Sequence, residues 1–245
     1  MDIFQYIPQR KTVRKYKDSL LDEEILQKIR DFIEQLTPLC PEIKTECRLV
    51  GKEEVKGILA IRAPHYLMIY SENKPMYLEN CGFMYQQANL FLSGLGLGGG
   101  WVGLAKPASA SNKGLEFVIF QTCGQPAESP HRTLADFSRK PIEKIANGED
   151  PRLESARLAP SALNSQPWYF LCSDGDVHVY RQKIGALKKT FGMETFNRID
   201  IGIALCHFWL AGKHLGMDFS FDWENPIDMK ELPGYHKVGI IRKGN

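Results

Sequence analysis

Two long segments are apolar or small around most of a helix, and each one needs other elements to cover it. They are "ENCGFMYQQANLFLSGLGLG" at 79–98 and "NRIDIGIALCHFWLAGKHLG" at 197–216. A helix without a polar face must lie in the interior of a protein. The covering elements are predicted from apolar runs and turn signals: helices at 22–36 and 149–159, strands at 65–72, 115–124 and 237–243, and a hairpin at 168–182. The sequence therefore predicts an α+β fold with mainly antiparallel sheets around two central helices.

The two apolar helices carry similar residues at a fixed spacing of 120 positions. Gly82, Leu90, Leu95 and Gly96 precede Gly202, Leu210, Leu215 and Gly216 by that interval. A basic segment, "RKTVRKY" at 10–16, has an echo in "RKPIEKI" at 139–145. We expect one unit over 1–245, built of pseudo-repeats at approximately 1–126 and 127–245. The alternative is a chance likeness between two apolar helices.

Composition narrows the classes of function. The chain has 245 residues, 43% of them hydrophobic, and a formal net charge of +2, which does not favour nucleic acid as a partner. Six cysteines without C-x-x-C spacing indicate free thiols rather than a disulfide framework. Neither a signal-peptide-like opening nor an apolar run of about 18 residues is present. We expect a cytoplasmic protein that does not enter a membrane.

The segment "RKTVRKYK" at 10–17 carries five cations in eight residues. If it is extended, Arg10, Thr12 and Arg14 project to one face. Two guanidinium groups beside a hydroxyl suit a phosphate, because planar donors reach its oxygens in pairs. The alternative is a solvated run of charge.

The stretch "GLGLGGGWVG" at 94–103 contains G-x-G-x-x-G, but it closes a helix instead of opening one, so it does not predict a dinucleotide site. One glycine suffices to end a helix. The extra glycines favour a backbone that approaches something flat. Ser161 and Ser165 lack a G-x-S-x-G frame, and the scattered histidines, including His207 and His214, are expected to be packed residues. We assign no catalytic residue and no metal site.

The segment "RLAPSALNSQPWYF" at 157–170 has more polar groups than a connection needs, and it completes a set of three motifs. It resembles the A-P-S-x-x-N-x-Q-P-W-x-F segment of the nitroreductase family. "RKTVRKY" resembles that family's R-x-[ST]-x-R-x-[YF] opening, and "GLGGGWVG" at 96–103 is similar to its G-L-G-x-x-W-x-G turn. The resemblance implies an α+β nitroreductase fold that binds FMN and passes hydride from NAD(P)H to an electron-poor acceptor.

The resemblance also implies site residues. The basic group would hold the FMN phosphate and ring edge, the serine–asparagine group would hydrogen-bond the flavin, and the tryptophan–glycine group would line one ring face, with the Gly103 N–H donating to flavin N5. Arg139 would join Arg10 at the phosphate. The cofactor-binding candidates are Arg10, Lys11, Thr12, Arg14, Trp101, Val102, Gly103, Arg139, Pro160, Ser161, Ala162 and Asn164. Pro160 and Pro167 would hold the loop extended, and Trp168 and Phe170 would anchor the next strand in the core.

The order of the motifs departs from the family pattern. Ordinary members carry the basic opening and the A-P-S-x-x-N segment close together, in the N-terminal third. Here the first half lacks the A-P-S-x-x-N segment and has "LTPLCPEIKTECRLV" in its place. The second half has that segment but a degraded basic opening, "RKPIEKI", with Glu143 in place of Arg14. This resembles the internally duplicated branch, in which one chain imitates the usual dimer. It implies one complete FMN site and one decayed site per chain, in a monomer or a homodimer.

The expected function is FMN-dependent oxidoreduction, with hydride passing from NAD(P)H to a small-molecule acceptor such as a nitroaromatic or a quinone. A specialised family chemistry, such as dehalogenation or flavin destruction, is one alternative. Another is a non-enzymatic flavin-binding or storage protein. Nucleic-acid binding through 10–17 is a further alternative, disfavoured because interleaved aromatic residues and net basic charge are missing.

Overall fold

The computed structural model describes residues 1–57, 61–109, 114–185, 192–224 and 229–243. The chain divides into two compact units, Met1–Asp136 and Phe137–Asn245. Residues 127–136 belong to the first of these units. Each unit has its own sheet and its own long buried helix, as described in turn below.

The first unit is built around a four-stranded antiparallel sheet. Its helices are α1 (Glu23–Ile33) and α2 (Tyr77–Gly94), and its strands are β1 (Thr45–Gly51), β2 (Val55–Gly57), β3 (His65–Ser71), β4 (Gly98–Val102), β5 (Ala105–Pro107) and β6 (Glu116–Gly124). The strand order of the main sheet is β1-β3-β6-β4, and β2 pairs with β5. All seven residues of β3 are buried, which agrees with the run of large aromatic and aliphatic residues at 66–70 in its sequence.

Helix α2 is buried along nearly its whole length, as the sequence predicts. It ends sooner than expected, at Gly94, because Gly96 adopts a left-handed φ of 71°. The N–H of Leu97 donates to Leu92 O at 2.9 Å, and the N–H of Gly96 donates to Ser93 O at 3.0 Å. These two bonds satisfy carbonyl groups at the helix end. The glycines beyond this cap form strand β4 instead of a further helical turn.

The second unit has a five-stranded sheet. Its helices are α3 (Leu153–Arg157) and α4 (Met193–His214), and its strands are β7 (Ala146–Asn147), β8 (Trp168–Ser173), β9 (Asp176–Gln182), β10 (Ser220–Asp222) and β11 (Tyr235–Arg242). The order is β10-β11-β9-β8-β7, antiparallel except for the β7–β8 pair. The predicted hairpin turn is confirmed, since Asp174 and Gly175 both have positive φ between β8 and β9.

The apolar helix of the second unit is also buried, as expected. Helix α4 ends before Gly216, whose φ is 67°, and the Met217 N–H donates to Gly212 O at 2.8 Å. Trp168 and Phe170 are buried, and the Phe170 ring stacks on Phe208 with centroids 5.8 Å apart. The expectation that these two aromatic residues anchor β8 in the core is confirmed.

The two units share one chain order of elements and one strand order. In the first, β1 and β3 precede the buried helix, β4 and β6 follow it, and the sheet runs β1-β3-β6-β4. In the second, β8, β9, α4, β10 and β11 give the corresponding order β8-β9-β11-β10. The capping glycines of the long helices, Gly96 and Gly216, are one of the residue pairs spaced by 120 positions. The repeat over 1–126 and 127–245 remains a prediction that this shared topology supports.

Several expectations about individual elements need correction. The predicted helix at 149–159 is short, Leu153–Arg157, and strands β1 and β4 were not predicted. His214 is exposed, whereas His207 is buried with its Nδ1 3.0 Å from Ser155 O, as expected of a packed residue. All six cysteines are free thiols. In the described ranges, no helix has the length and apolar character needed to cross a membrane.

Candidate functional site

The basic segment 10–17 of the first unit is held between two other stretches of chain. On one side, the Val13 N–H donates to Gly99 O of β4 at 3.2 Å. On the other side, the Lys11 N–H donates to Pro130 O at 3.0 Å, and the Ala127 N–H donates to Lys15 O at 3.0 Å. Backbone hydrogen bonds therefore hold this segment in place, although its charged side chains alone would favour an exposed stretch of chain.

The glycines of β4 make room for this segment. A Cβ at Gly98 would lie 2.6 Å from Tyr16 Cε1 and 2.9 Å from Val13 Cβ, and one at Gly100 would lie 3.2 Å from Thr12 Cγ2. The prediction that the extra glycines admit something flat is therefore corrected at these positions. What approaches Gly98 and Gly100 so closely is the chain's own basic segment.

A cleft of about 170 Å³ opens beside the basic segment. Its lining residues are Lys11, Thr12, Val13, Arg14, Lys15, Glu128 and Ser129. Three cations and one carboxylate leave a net charge of two positive units around it. Such a cleft can bind an anion, because ammonium and guanidinium groups donate charge-assisted hydrogen bonds to phosphate or carboxylate oxygens.

Arg10 lies behind this cleft rather than on its wall. It is buried, with 2% of its surface exposed, and its Nη2 donates to Thr12 Oγ1 at 2.8 Å. The Arg10 carbonyl accepts a hydrogen bond from Arg132 Nε at 3.0 Å, and burial lowers the pKa of Arg132. Arg10 and Thr12 thus meet on one side of the segment, as alternation predicts. Strict alternation would place Lys11 and Arg14 on opposite faces of the segment. Both line the cleft, so the alternation is not strict.

The three residues after the glycines have different surroundings. The Trp101 side chain is partly buried, and its Nε1 donates to Gln86 Oε1 at 3.4 Å. Val102 packs into an apolar cluster with Tyr66 and Phe120. Gly103 is exposed, just beyond the end of β4. A ligand could therefore reach the Gly103 backbone, whereas the Val102 side chain serves the core.

The predicted loop of the second unit is turned, not extended. Residues Ala162–Asn164 form a 3₁₀ turn, and Leu163, Asn164 and Gln166 have φ values of 51°, 54° and 47°. Pro160 and Pro167 fix only their own φ and restrict the residue before each of them. The extended conformation expected from these prolines is therefore wrong between them. Non-glycine residues with positive φ are strained and cluster at functional sites.

Gln166 holds this turn together, and sequence reasoning gave it no role. It is buried; its backbone N–H donates to Ser161 Oγ at 2.9 Å and its Nε2 donates to Asn164 O at 3.0 Å. Its Oε1 accepts the Lys140 N–H at 2.7 Å. The Gln166 side chain therefore ties two points of the loop region together, and its backbone N–H adds a third. The sequence signal that could have indicated this role is a glutamine, which can both donate and accept hydrogen bonds, directly before Pro167 and Trp168.

Arg139 binds the same loop. Its Nε donates to Ala159 O at 3.0 Å and its Nη1 donates to Asn164 Oδ1 at 2.7 Å. The amide nitrogen of Asn164 donates to Ser138 O at 2.8 Å. The structure thus brings together Arg139 and Asn164, two of the predicted site residues, within the second unit. A contact from Arg139 to a phosphate stays a prediction.

Asp200 supports the loop from helix α4. Its two carboxyl oxygens lie 3.1 and 3.2 Å from the Ala162 N, so they accept that N–H. Burial raises the pKa of Asp200 well above its usual range, although the Ala162 N–H acts to lower it. Asn80, which lies 120 positions earlier, has the same task in the first unit. Its Oδ1 accepts the N–H groups of Leu39 and Cys40 at 2.8 and 3.0 Å.

Known proteins match the chain at the level of a family and of a fold. The model of a family described as "Putative TM nitroreductase" matches residues 2–212, which is most of the chain. The chain belongs to this nitroreductase family. The Thermotoga maritima structure described as a "putative nitroreductase" has 20% sequence identity to this nitroreductase and a TM-score of 0.64. The alignment covers 98% of this chain and 93% of that one, so the two share a fold.

Other structures are less similar to this nitroreductase. A nitroreductase family protein of Clostridium difficile 630 is 16% identical, with a TM-score of 0.49, over 60% of this chain and 98% of its own. An FMN-dependent nitroreductase of Clostridium difficile R20291 is 14% identical, with a TM-score of 0.44, over 59% and 98%. No protein with a curated description matches the chain.

The nitroreductase fold and the family are thus as the three sequence motifs implied, and membership is consistent with an oxidoreductase activity. The predicted residues fall into two sets, one within each unit. Arg10, Lys11, Thr12 and Arg14 surround or back the cleft of the first, whereas Pro160, Ser161, Ala162 and Asn164 form the turned loop of the second. Within the described ranges, no group of three His, Cys, Asp or Glu side chains could hold a metal ion.

Proposed function

We propose that this nitroreductase binds FMN and transfers hydride from NAD(P)H to a nitroaromatic, a quinone or a similar electron-poor acceptor. The observation that carries the proposal is the cationic cleft at Lys11, Thr12 and Arg14, which lies on the very motif that resembles the family's phosphate-binding segment. Membership of the nitroreductase family supports the same reading.

The cleft fits a phosphate in charge and in donors. Its net charge of two positive units complements a phosphate monoester, which carries roughly −1.5 to −2 at neutral pH. The Arg14 guanidinium can donate two parallel hydrogen bonds, and the Lys11 ammonium adds a point charge. Arg10 contributes from behind, since its bond to Thr12 Oγ1 orients that hydroxyl.

The loop of the second unit retains hydrogen-bonding capacity for a flavin ring. Ser161 Oγ accepts the Gln166 N–H, and its own O–H remains able to donate. An asparagine amide can donate twice and accept twice, so the bonds of Asn164 to Arg139 and Ser138 leave a donor and an acceptor site. These groups are the ones that we propose contact the ring edge.

The residues of the chain bind and orient, and the cofactor brings the redox chemistry. Bound FMN would supply the centre that accepts and then gives up hydride. Cations placed near a site of developing negative charge stabilise it, and Lys11 and Arg14 are the candidates for this part. The chain need not move a proton for hydride transfer, and we assign no acid or base.

An anaerobic titration tests this function. The purified protein, loaded with FMN, is titrated with NADH and separately with NADPH, and then mixed with a nitroaromatic or a quinone. We expect loss of flavin absorbance with at least one nicotinamide and its return with the acceptor. A protein that binds FMN but is not reduced by either nicotinamide would contradict the oxidoreductase and favour a flavin-storage role.

A further inference from the structure

Glu128 places a carboxylate among the cations of the cleft. Its Oε2 lies 3.6 Å from Lys11 Nζ, and its Oε1 lies 3.6 Å from Lys15 Nζ. Glu128 and Ser129 are themselves part of the cleft wall. One side-chain carboxylate therefore spans two ammonium groups at the place where we propose that a phosphate binds.

The backbone keeps Glu128 opposite the basic segment. The chain is paired at Lys11 with Pro130 and at Lys15 with Ala127, with 3.0 Å between donor and acceptor in each case. Glu128 lies between these two points, facing the stretch 12–14. Its side chain is 59% exposed, so the carboxylate can turn into solvent without moving the backbone. The main chain is thus held in place, whereas the Glu128 carboxylate can turn away from the two ammonium groups.

We propose that the Glu128 carboxylate competes with a phosphate monoester for the cations of this cleft. The carboxylate and an incoming phosphate require the same ammonium groups of Lys11 and Lys15. Glu128 occupies them before the ligand arrives and is displaced when it binds. The identity of the ligand as FMN rests on the proposed function, whereas the competition itself concerns only a phosphate group.

The distances and exposures set the size of the effect. Pairs at 3.6 Å between exposed side chains are weak, so the carboxylate lowers the affinity for phosphate without blocking the cleft. Replacing Glu128 by glutamine keeps the shape and leaves three cations without the opposing charge. From the interaction of charges in a high-dielectric surface site, we expect about three- to tenfold tighter binding of a phosphate monoester.

The experiment compares FMN with riboflavin, which has the same ring but lacks the phosphate. Dissociation constants are measured by flavin fluorescence for the wild type, for Glu128→Gln and for Glu34→Gln. Glu34 is an exposed residue just after α1, and its variant makes the same change of charge away from the cleft. We expect Glu128→Gln to tighten FMN three- to tenfold, to leave riboflavin unchanged, and to lose most of its effect in about 1 M salt.

The other outcomes separate this inference from the proposed function. Unchanged FMN binding, or equal tightening of FMN and riboflavin, would overturn the role of Glu128 and leave the flavin site standing. Failure of every variant to bind either flavin would overturn the proposed function instead. In that case inorganic phosphate, titrated calorimetrically, decides: tighter binding by Glu128→Gln supports the competition, and equal binding overturns it.

Discussion

At the scale of single residues, Leu163 combines two unfavourable properties. Its φ of 51° is one that β-carbon sterics disfavour, and 89% of its surface is exposed although it is apolar. Neither property helps the second unit to fold. Strain of this kind persists where the surrounding structure enforces it, and here the neighbours Ser161, Asn164 and Gln166 do so through hydrogen bonds.

We predict that Leu163→Asn stabilises the protein, by roughly 1 kcal/mol, because asparagine tolerates the left-handed region. The matched control is Leu20→Asn. Leu20 is 73% exposed and does not have a positive φ, so its replacement should change the free energy of unfolding by less than about 0.5 kcal/mol. Urea denaturation measures both. Equal effects of the two substitutions would contradict the strain at Leu163.

Asp200 gives a prediction with a definite sign against pH. Burial raises its pKa in the folded state, so folding favours the neutral carboxyl. That contribution is complete below the unfolded pKa of about 3.9 and is lost as pH rises toward the folded pKa. Asp200→Asn keeps an acceptor for the Ala162 N–H and does not titrate. Its stability relative to the wild type should therefore increase as pH rises from about 4 to 8.

The control for this pH series has the opposite sign. Burial acts to raise the pKa of Asp176, but hydrogen bonds from the Lys243 N–H and Arg242 outweigh it, and the net pKa is lowered. Asp176 thus stabilises the fold above its unfolded pKa. Asp176→Asn should therefore lose stability relative to the wild type as pH rises to about 5, and the difference should stay constant from there to pH 8. Urea denaturation at several pH values measures the free energy of unfolding of each variant. If that free energy changed with pH in the same way for the wild type and for Asp200→Asn, the raised pKa assigned to Asp200 would be refuted.

At the scale of elements, the loop 160–167 depends on contacts that its own sequence does not encode. Ser138, Arg139 and Lys140 bind it from an earlier stretch of chain, and Asp200 binds it from α4. Prolines at both ends favour an extended path, yet these hydrogen bonds from other stretches of the chain stabilise a turn. The motif could therefore be recognised from sequence, whereas its conformation required the tertiary partners.

The same distinction holds for the longer elements. The two buried helices and the β8–β9 hairpin were predictable, because apolar composition, Gly96 and the Asp174–Gly175 turn are local signals. Strand β1, "TECRLVG", was not, because its polar and apolar residues do not alternate cleanly. Glu128 was missed as a site residue because its partners Lys11 and Lys15 are distant in sequence.

Gln166→Leu tests the support of the loop. The substitution keeps the approximate volume and removes the side-chain partners of the Lys140 N–H and of Asn164 O. Each of these two partly buried hydrogen bonds contributes about 0.5–1.5 kcal/mol, so we expect a loss of stability of about 1–3 kcal/mol in total. Gln27→Leu, on the exposed face of α1, should change it by less than about 0.5 kcal/mol. Chemical denaturation compares them, and equal losses would contradict a specific role for Gln166.

Gly98→Ala tests the packing of the basic segment against β4. The added Cβ would lie 2.6 Å from Tyr16 Cε1 and 2.9 Å from Val13 Cβ, so either β4 or the basic segment must move. We expect a loss of about 1–3 kcal/mol in the free energy of unfolding. At Gly185 a Cβ meets nothing within 4 Å, and Gly185→Ala should be neutral or slightly stabilising. Should Gly98→Ala be as harmless, the close approach would be disproved.

At the scale of the whole molecule, the two units have the same strand order but carry different polar segments. The basic segment with its cleft belongs to the first, and the serine–asparagine loop belongs to the second. Where the first has Arg14, the echo in the second has Glu143. This unequal distribution is why we propose one FMN per chain rather than two.

The most direct test is therefore the number of flavins that each chain retains. The protein is saturated with FMN, freed of excess cofactor, and weighed intact by native mass spectrometry, with absorbance near 450 nm as a second count. The account predicts a yellow protein with one FMN per chain. A colourless protein that takes up no FMN would contradict the flavoenzyme, and two FMN per chain would contradict the single, unequal site.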